Sequence, residues 1–201
     1  MSSTTGVWPP LNPASPPVKP RDTHSLGEHA ERVSEASLQP YFARLSEQPD
    51  ASLALNVHLP FCPSRCLSCD RIAVVQHQPN ELEHYVANLA LELARTAVLL
   101  GERRTLARVH FGGGSPNHLS ELALATVFSH ISEHFGVDDS TQFSMELNPR
   151  RTSRAQLNFL KGLGVEQIKL EVRDVDANVQ REIGRIPVSY THLTLPTRYR
   201  V

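Results

Sequence analysis

The sequence predicts an α/β fold in which parallel strands alternate with helices. From Leu53 onward, short apolar segments of strand length recur, and each is followed by a turn rich in glycine, proline or polar residues. Each turn leads into a segment with apolar residues three and four positions apart, the spacing of a helix that packs on a sheet. Such units build either an open doubly wound sheet or a barrel, and both bind ligands at the carboxyl ends of their strands.

The predicted elements follow one another at regular intervals. The strands span residues 53–59, 106–111, 142–147 and 167–172. The helices between them span residues 80–100, 119–135 and 154–162, and another starts near Asp176. One further helix is predicted ahead of the first strand, over residues 34–47, although Pro40 falls inside it.

Composition and charge exclude several classes of function. The chain has 201 residues, of which 40% are hydrophobic and 20% charged, so it can bury one sizeable core. Its formal net charge of −1 provides no field that selects nucleic acid or an acidic membrane. No apolar run approaches the roughly 20 residues of a membrane span, and the first 20 residues lack the pattern of a signal peptide. We therefore expect a cytoplasmic protein with neither nucleic acid nor membrane as a partner.

The two ends of the chain are expected to lie outside the fold. Residues 1–35 are rich in proline, serine and threonine and poor in core-forming residues, which predicts a disordered extension. Residues 188–197 are what a transposase-adapter sequence used in DNA library preparation encodes in one frame, although the same residues also alternate like a strand. We interpret residues 187–201 as non-native and residues 36–186 as the folded domain, so the natural protein is expected to continue beyond Ile186.

All three cysteines fall in one loop directly after the first strand. Cys62, Cys66 and Cys69 are an odd number in a short space, which suits a metal or cluster site better than disulfides. Thiolates are the ligands of iron–sulfur clusters, and three of them leave one iron of a 4Fe-4S cluster without a protein ligand. A structural zinc site completed by His58 or His77 is the alternative, because such sites close with four ligands. A further alternative is that the three cysteines are unrelated buried thiols.

Two other polar or flexible features follow predicted strands. Gly112, Gly113 and Gly114 come directly after the second strand, where missing side chains let the backbone approach a ligand and present N–H groups to it. A simple turn is the alternative interpretation. Glu146 lies near the end of the third strand, where it either binds a ligand or forms an ordinary ion pair.

These motifs resemble, in order and spacing, those of the radical S-adenosylmethionine superfamily. The segment Asn56-Val-His-Leu-Pro-Phe-Cys62 resembles the Val-His-Ile-Pro-Phe-Cys lead-in of the oxygen-independent coproporphyrinogen III oxidase family. His110-Phe-Gly-Gly-Gly-Ser-Pro116 is similar to its Trp-Gly-Gly-Gly-Thr-Pro turn, and Ser144-Met-Glu-Leu-Asn-Pro-Arg150 to its third strand end. The resemblance covers residues 53–186.

The resemblance implies a partial (β/α) barrel of the radical S-adenosylmethionine type, truncated after about four strand–helix units. It implies a 4Fe-4S cluster on the three cysteines and one molecule of S-adenosylmethionine, and it leaves open whether a second molecule binds. In the family, one electron from the cluster yields a 5'-deoxyadenosyl radical, and propionates of coproporphyrinogen III become vinyl groups with loss of carbon dioxide. A tetrapyrrole substrate, a donor such as flavodoxin or ferredoxin, and a monomeric full-length protein are expected. The present length is expected to be inactive by itself.

The resemblance also implies which residues bind the cofactor. The matched positions are Asn56, Ser68, Gly113, Gly114, Ser115, Glu146, Arg173 and Arg185. In the family, the glutamate position contacts the ribose or amino group of S-adenosylmethionine, and the arginine at the position of Arg185 contacts a second one. Ser115 adds a hydroxyl to the glycine turn.

Several residues depart from the family pattern. Asn56 replaces a tyrosine, Ser68 stands where an aromatic residue is common, and Arg173 replaces a cofactor-binding glutamine. On the fourth strand Lys169, Glu171 and Arg173 share one face, so Lys169 and Glu171 are expected to neutralise each other while Arg173 is available to a substrate propionate. A diverged substrate or activity is therefore expected. The pair Cys69-Asp70 resembles the related haem-chaperone branch, so a haem-binding carrier without oxidase activity is the alternative function.

Overall fold

A computed structural model describes residues 35–67, 69, 73–75, 79–170, 174 and 176–184. The chain divides between Leu38 and Gln39 into two units. Of the first unit, only residues 35–38 are described, and they form the first turn of a helix. The predicted disordered extension, residues 1–35, lies outside the described residues except for Glu35, which begins a helix, and the predicted non-native tail lies outside them altogether. Both stay predictions, as do the proposed domain bounds.

The described chain alternates helices and strands as the sequence predicts. In chain order the elements are α1 (Glu35–Ser46), β1 (Leu53–Leu59), α2 (Pro79–Leu100), β2 (Leu106–Gly113), α3 (Glu121–His134), β3 (Gln142–Leu147), α4 (Arg154–Gly162), β4 (Val165–Leu170) and α5 (Ala177–Glu182). Short 3-10 turns follow β2 at Pro116–His118 and β3 at Pro149–Arg151. Among the residues that the structure describes, no helix combines the length and the apolar character needed to cross a membrane.

The four strands form one parallel sheet in the order β1-β2-β3-β4. This confirms the α/β class and the parallel pairing. Strand order follows chain order without reversal, unlike a doubly wound sheet, in which the order switches direction. Because strand–helix–strand connections are right-handed, a sheet that grows in one direction receives its connecting helices on one face, as a barrel does.

The two faces of the sheet differ in chemistry. One face is apolar, with buried side chains that include Val57, Leu59, Val109, Phe111 and Met145. Phe128 of α3 lies on this face between two strand residues, with ring centroids 4.7 Å from Phe111 and 5.3 Å from Phe143. The opposite face carries polar side chains in register, in the cross-strand row Asn56, His110, Ser144 and Gln167. Ligand chemistry is therefore confined to the polar face.

Strand β4 differs from its predicted bounds. It begins at Val165, two residues before the predicted start, because the buried Val165 pairs with Phe143 of β3. As predicted, Lys169 lies on the polar face, next to Glu146, while Ile168 and Leu170 pair with the apolar positions of β3. Ile168 is 40% exposed, so β4 is less covered than the inner strands. The remaining residues of the predicted strand, 171–172, lie outside the described part of the chain.

Arg104 joins the end of α1 and the segment after it to the start of β2. Its side chain is buried, and its guanidinium donates to the carbonyl oxygens of Leu45 (3.1 Å), Gln48 (2.9 Å) and Ala51 (3.0 Å). A buried carbonyl that loses its donor keeps the full cost of desolvation. One side chain thus fixes the path of the chain into β1.

Replacing Arg104 by alanine is expected to lower the free energy of unfolding by about 2–4 kcal/mol, because three carbonyls lose a charged donor. Arg104→Lys is expected to recover only part of this loss, since one ammonium group lacks the planar fork of guanidinium. Urea denaturation measures the change. Arg95→Ala, on an exposed position of α2, is the control and is expected to change stability by less than about 0.5 kcal/mol. Equal losses for both variants would contradict the assigned role.

Candidate functional site

The cysteine loop leaves the carboxyl end of β1 and folds back on itself. Phe61 is buried and forms a parallel bridge with Val74, and the Cys62 N–H donates to the Val74 carbonyl (3.0 Å). Further on, the Cys69 N–H donates to the Cys66 carbonyl (3.1 Å), which closes a turn between these two cysteines. All three cysteines have intermediate exposure, and none of them forms a disulfide. Both ends of the thiol loop are thereby held by main-chain hydrogen bonds.

The glycine turn after β2 lies directly against the start of this loop. The Gly114 N–H donates to the Leu59 carbonyl (2.8 Å), and the Ser115 N–H donates to the Phe61 carbonyl (2.9 Å). The pairing of β1 with β2 is thus continued beyond the strand ends. As a result the Ser115 hydroxyl, which is buried, lies 4.0 Å from the Cys62 sulfur and donates a weak hydrogen bond to it. The structure brings together these motifs, which are 53 residues apart.

Glycine is required at two positions of the turn for different reasons. At Gly114 a Cβ atom would lie 2.7 Å from the Phe61 carbonyl oxygen and 2.8 Å from the carbonyl carbon of Pro60. At Gly113 the backbone φ is +106°, a conformation that side chains disfavour, and a Cβ would lie 2.7 Å from the His58 ring. The close approach between the two loops therefore depends on residues without side chains.

A cavity of about 330 Å³ opens on the polar face beside the glycine turn. It is lined by Asn56, Val57, His58, His110, Gly112, Gly113 and Glu146. Three of the predicted cofactor-binding residues, Asn56, Gly113 and Glu146, therefore share one cavity. Gly114 and Ser115 follow them toward the cysteine loop. A small molecule bound here lies at the carboxyl ends of β1, β2 and β3, where α/β folds bind ligands.

Glu146 is already part of a network of polar side chains. Its Oε1 atom lies 2.8 Å from the Lys169 Nζ and 3.8 Å from the His110 Nε2, and its side chain is 15% exposed. The other ring nitrogen of His110 lies 2.8 Å from the Ser144 hydroxyl. The sequence predicts Glu171 as the partner of Lys169; that residue lies outside the described part, and the partner that the structure shows is Glu146. The two are neighbours because Glu146 and Lys169 pair in register between β3 and β4.

Two histidines in the cavity were not predicted as cofactor-binding residues. His58 follows Asn56 on β1, and His110 follows Arg108 on β2, each by two positions. Residues two positions apart on a strand lie on the same face, so His58 shares the face of Asn56 and His110 that of Arg108. Once the polar face is known, this spacing identifies both histidines from the sequence. The sequence suggests His58 only as a candidate zinc ligand, and the structure places its ring beside Gly113 in the cavity.

Tyr85 of α2 supports the junction between strand and loop. Its hydroxyl donates to the His58 carbonyl (2.5 Å), and its ring meets Phe61 edge to face at 5.1 Å. Burial raises the pKa of Tyr85 above its usual range, and the carboxylate of Glu92 raises it further. The phenol therefore stays protonated and remains a donor at neutral pH.

Three predicted site residues, Ser68, Arg173 and Arg185, lie outside the described residues. Near the first of them, the Leu67 N–H donates to the Ile183 carbonyl just after α5 (3.0 Å). This contact ties the cysteine loop to the end of α5. Asp176 caps the start of the same helix by accepting from the N–H groups of Asn178 (2.7 Å) and Val179 (3.2 Å).

Comparison with known proteins identifies relatives with one common name. The sequence matches none of the protein-family models. It is 28% identical over 158 residues to the oxygen-independent coproporphyrinogen III oxidase of Salmonella typhimurium, covering 79% of this chain and 34% of the relative. Its identity to the enzymes of that name is 30% over 145 residues in Pseudomonas aeruginosa and 31% over 147 residues in Bradyrhizobium diazoefficiens, with 32% and 33% of the relatives covered. The chain thus spans about a third of the length of these relatives.

A solved structure agrees with the sequence comparison. The fold is similar to that of coproporphyrinogen III oxidase (HemN) from Escherichia coli, described as a radical SAM enzyme, with a TM-score of 0.70 and 28% sequence identity. The similarity covers 78% of this chain and 35% of the solved chain. The predicted fold class is confirmed by this match together with the parallel sheet.

Gly114→Ala is expected to lower the free energy of unfolding by about 1–3 kcal/mol, because its Cβ meets main-chain atoms that can move only together with the cysteine loop. Thermal or urea denaturation measures this loss. Gly162→Ala is the matched control, since a Cβ there meets no atom within 4 Å and alanine suits the end of α4. The control is expected to be neutral or slightly more stable. A tolerated Gly114→Ala would show that the two loops need not approach so closely.

Proposed function

Because this chain is a divergent relative of the oxygen-independent coproporphyrinogen III oxidases and has the fold of a radical SAM enzyme, we propose that it carries a 4Fe-4S cluster and S-adenosylmethionine and oxidises a tetrapyrrole. In the full-length protein the reaction is the oxidative decarboxylation of coproporphyrinogen III propionates to vinyl groups, a step of haem synthesis. The observation that carries the proposal is the thiol loop at the end of β1, held by the glycine turn beside a polar cavity.

The residues of the loop fit an iron–sulfur cluster. Cys62, Cys66 and Cys69 form no disulfide, and three thiolates are soft ligands that bind three irons of a cubane and leave the fourth open. The Ser115 hydroxyl donates a weak hydrogen bond to the Cys62 sulfur, and hydrogen bonds to cluster sulfurs tune the reduction potential. The described part of the loop is held by main-chain hydrogen bonds at Cys62 and Cys69.

The cavity residues fit the polar end of S-adenosylmethionine. When bound, the cluster and this cofactor together supply one-electron radical chemistry. Gly112 and Gly113 line the cavity without side chains, so a ligand can lie close to the main chain there, and the Glu146 carboxylate is proposed to accept from an amino group or a ribose hydroxyl. Asn56 adds a small amide on the β1 side. The roles of Ser68, Arg173 and Arg185 in holding one or two cofactor molecules remain part of this proposal.

Lys169 limits how Glu146 can act. The ammonium group occupies one oxygen of the carboxylate at 2.8 Å, so a positively charged ligand group competes with it. Lys169 is 63% exposed, so the pair is a partly solvated one that contributes roughly 0–1 kcal/mol. Once a ligand takes Glu146, the lysine is available to a substrate carboxylate, which is the group that the propionates of coproporphyrinogen present.

The cellular setting follows from the same chemistry. Thiols that bind a reduced cluster suit the cytoplasm, and a low-potential donor such as flavodoxin or ferredoxin is the proposed source of electrons. The full-length protein is proposed to act as a monomer. Neither nucleic acid nor a membrane is part of the proposed reaction.

A haem carrier is the second candidate function, and the pair Cys69-Asp70 favours it. The two candidates share the cluster and differ in product. A carrier binds haem stoichiometrically and forms no vinyl group, whereas an oxidase consumes coproporphyrinogen III. Haem titration and product analysis of the full-length protein separate them.

Anaerobic reconstitution of the protein with iron and sulfide is expected to give a brown product with charge-transfer absorption. Alanine at Cys62, Cys66 or Cys69 is expected to abolish this absorption, because a cubane held by two thiolates loses an anchoring ligand. His58→Ala is the matched control and is expected to retain the colour. A colourless wild-type protein whose tightly bound zinc is lost in His58→Ala would establish the four-ligand zinc site instead.

Lys169→Met is expected to tighten S-adenosylmethionine binding by up to about fivefold, because a competitor worth at most about 1 kcal/mol leaves Glu146. Glu146→Gln is expected to weaken binding. Calorimetric titration of the reconstituted protein measures both, and Lys161→Met, at an exposed position of α4, is the control. Weaker binding in Lys169→Met would show that the lysine itself contacts the cofactor.

A further inference from the structure

The last turn of α3 presents three metal-ligating side chains on one side. Glu133 and His134 follow His130 by three and four positions, the spacings that bring each of them next to His130 on the helix surface. One ligand atom from each lies within 4.8 Å of the corresponding atoms of the others. The closest pair is the His130 Nδ1 and the Glu133 Oε2, at 3.4 Å. This group of residues, which we call the α3 triad, is not used by the proposed reaction.

The donor set of the α3 triad suits one class of metal ion. The imidazoles are borderline ligands and the carboxylate is a hard one. This combination suits Zn²⁺, Ni²⁺ and Cu²⁺ better than softer metals such as Cu⁺, which prefer thiolates. Bonds from zinc to nitrogen or oxygen are about 2.0–2.2 Å long, so the ligand atoms around one ion lie roughly 3–4 Å apart. Small side-chain rotations bring the triad to that separation. Glu133 is 63% exposed and His130 32% exposed, so solvent gives both room to rotate.

The charges around the α3 triad favour a cation only moderately. The carboxyl end of a helix carries partial negative charge, which attracts positive groups. Arg103 already offsets much of this negative charge, because its guanidinium donates to the carbonyls of Ser132 (2.6 Å), Glu133 (3.1 Å) and Phe135 (3.0 Å). A bound ion therefore depends on the triad side chains and on water, and not on these carbonyls.

The α3 triad lies near the amino ends of the strands, whereas the cysteine loop lies at their carboxyl ends. Just after α3, the Gly136 N–H donates to the Arg104 carbonyl and the Gly136 carbonyl accepts from Leu106, at the amino end of β2. The cysteine loop packs against Gly114, at the other end of that strand. Eight residues of β2 separate the two ends, which is roughly 25 Å at strand spacing. The two sets of ligands cannot share one ion.

We propose that the α3 triad is a second metal site, which binds a borderline divalent transition-metal ion independently of the cysteine loop. His130 and His134 supply two imidazole nitrogens, Glu133 supplies a carboxylate oxygen, and water completes the coordination. Affinity is expected to follow the general order for such ligands, with Cu²⁺ bound more tightly than Ni²⁺ or Zn²⁺.

The test measures Zn²⁺ bound per chain by equilibrium dialysis in the full chain with Cys62, Cys66 and Cys69 all replaced by alanine. One zinc ion is expected to remain. His130→Ala or His134→Ala in that background is expected to weaken binding by at least about tenfold, since loss of even an outer-shell partner costs that much. His84→Ala, which removes an exposed histidine of α2, is the control and is expected to bind zinc unchanged. Absence of zinc from the cysteine-free chain, or equal loss in the control, would refute the site.

A second measurement uses the protein with its cysteines intact, so it does not depend on any variant folding. In an NMR titration with Zn²⁺, the imidazole signals of His130 and His134 are expected to change together, while those of His84 stay in place. Unchanged signals for the pair after the thiols have been saturated would overturn the proposal. Either result leaves the cluster assignment to be judged by its own reconstitution experiment.

Discussion

The close approach of two main-chain segments, one after β1 and one after β2, is the constraint on which the candidate site depends. The Gly114 N–H bonds to the Leu59 carbonyl at 2.8 Å, and only a residue without a side chain leaves room for the Phe61 carbonyl beside it. Because hydrogen bonding and steric fit act at one point, the glycine turn and the cysteine loop hold each other in place. Ser115 then reaches the Cys62 sulfur without a long or flexible side chain.

The second feature of the site is the way its charges are balanced. A carboxylate on the polar face is costly to desolvate unless a partner offsets its charge, and Glu146 has Lys169 and His110 as neighbours. Lys169 and His110 hold the Glu146 carboxylate at the cavity, and the exposed lysine is a weak partner that a ligand can displace. The same contact therefore stabilises the ligand-free site and sets the competition that a cationic ligand meets.

The agreement between sequence and structure varies with how local the determining interactions are. The bounds of β1, β3 and α4 agree with prediction, because alternating apolar residues and the Ser153 cap of α4 are local signals. Strand β2 extends to Gly113, beyond its predicted end, since His58 and Leu59 of β1 pair with Gly112 and Gly113. Helix α3 begins at Glu121, two residues after its predicted start, because the Ser120 side chain caps it by accepting from the Ala123 N–H. The spacing of apolar residues does not show which residue acts as the cap.

Sequence by itself determined the α/β class, the parallel strands, and the cysteine, glycine and glutamate motifs at their ends, because each depends on residues a few positions apart. Only the tertiary structure decided which motifs meet. The contact between Gly114 and the Phe61 carbonyl, the pairing of Lys169 with Glu146, and the presence of His58 and His110 in one cavity depend on register between strands. Register is set by packing across the whole sheet, and a one-residue shift would turn each of these side chains to the opposite face.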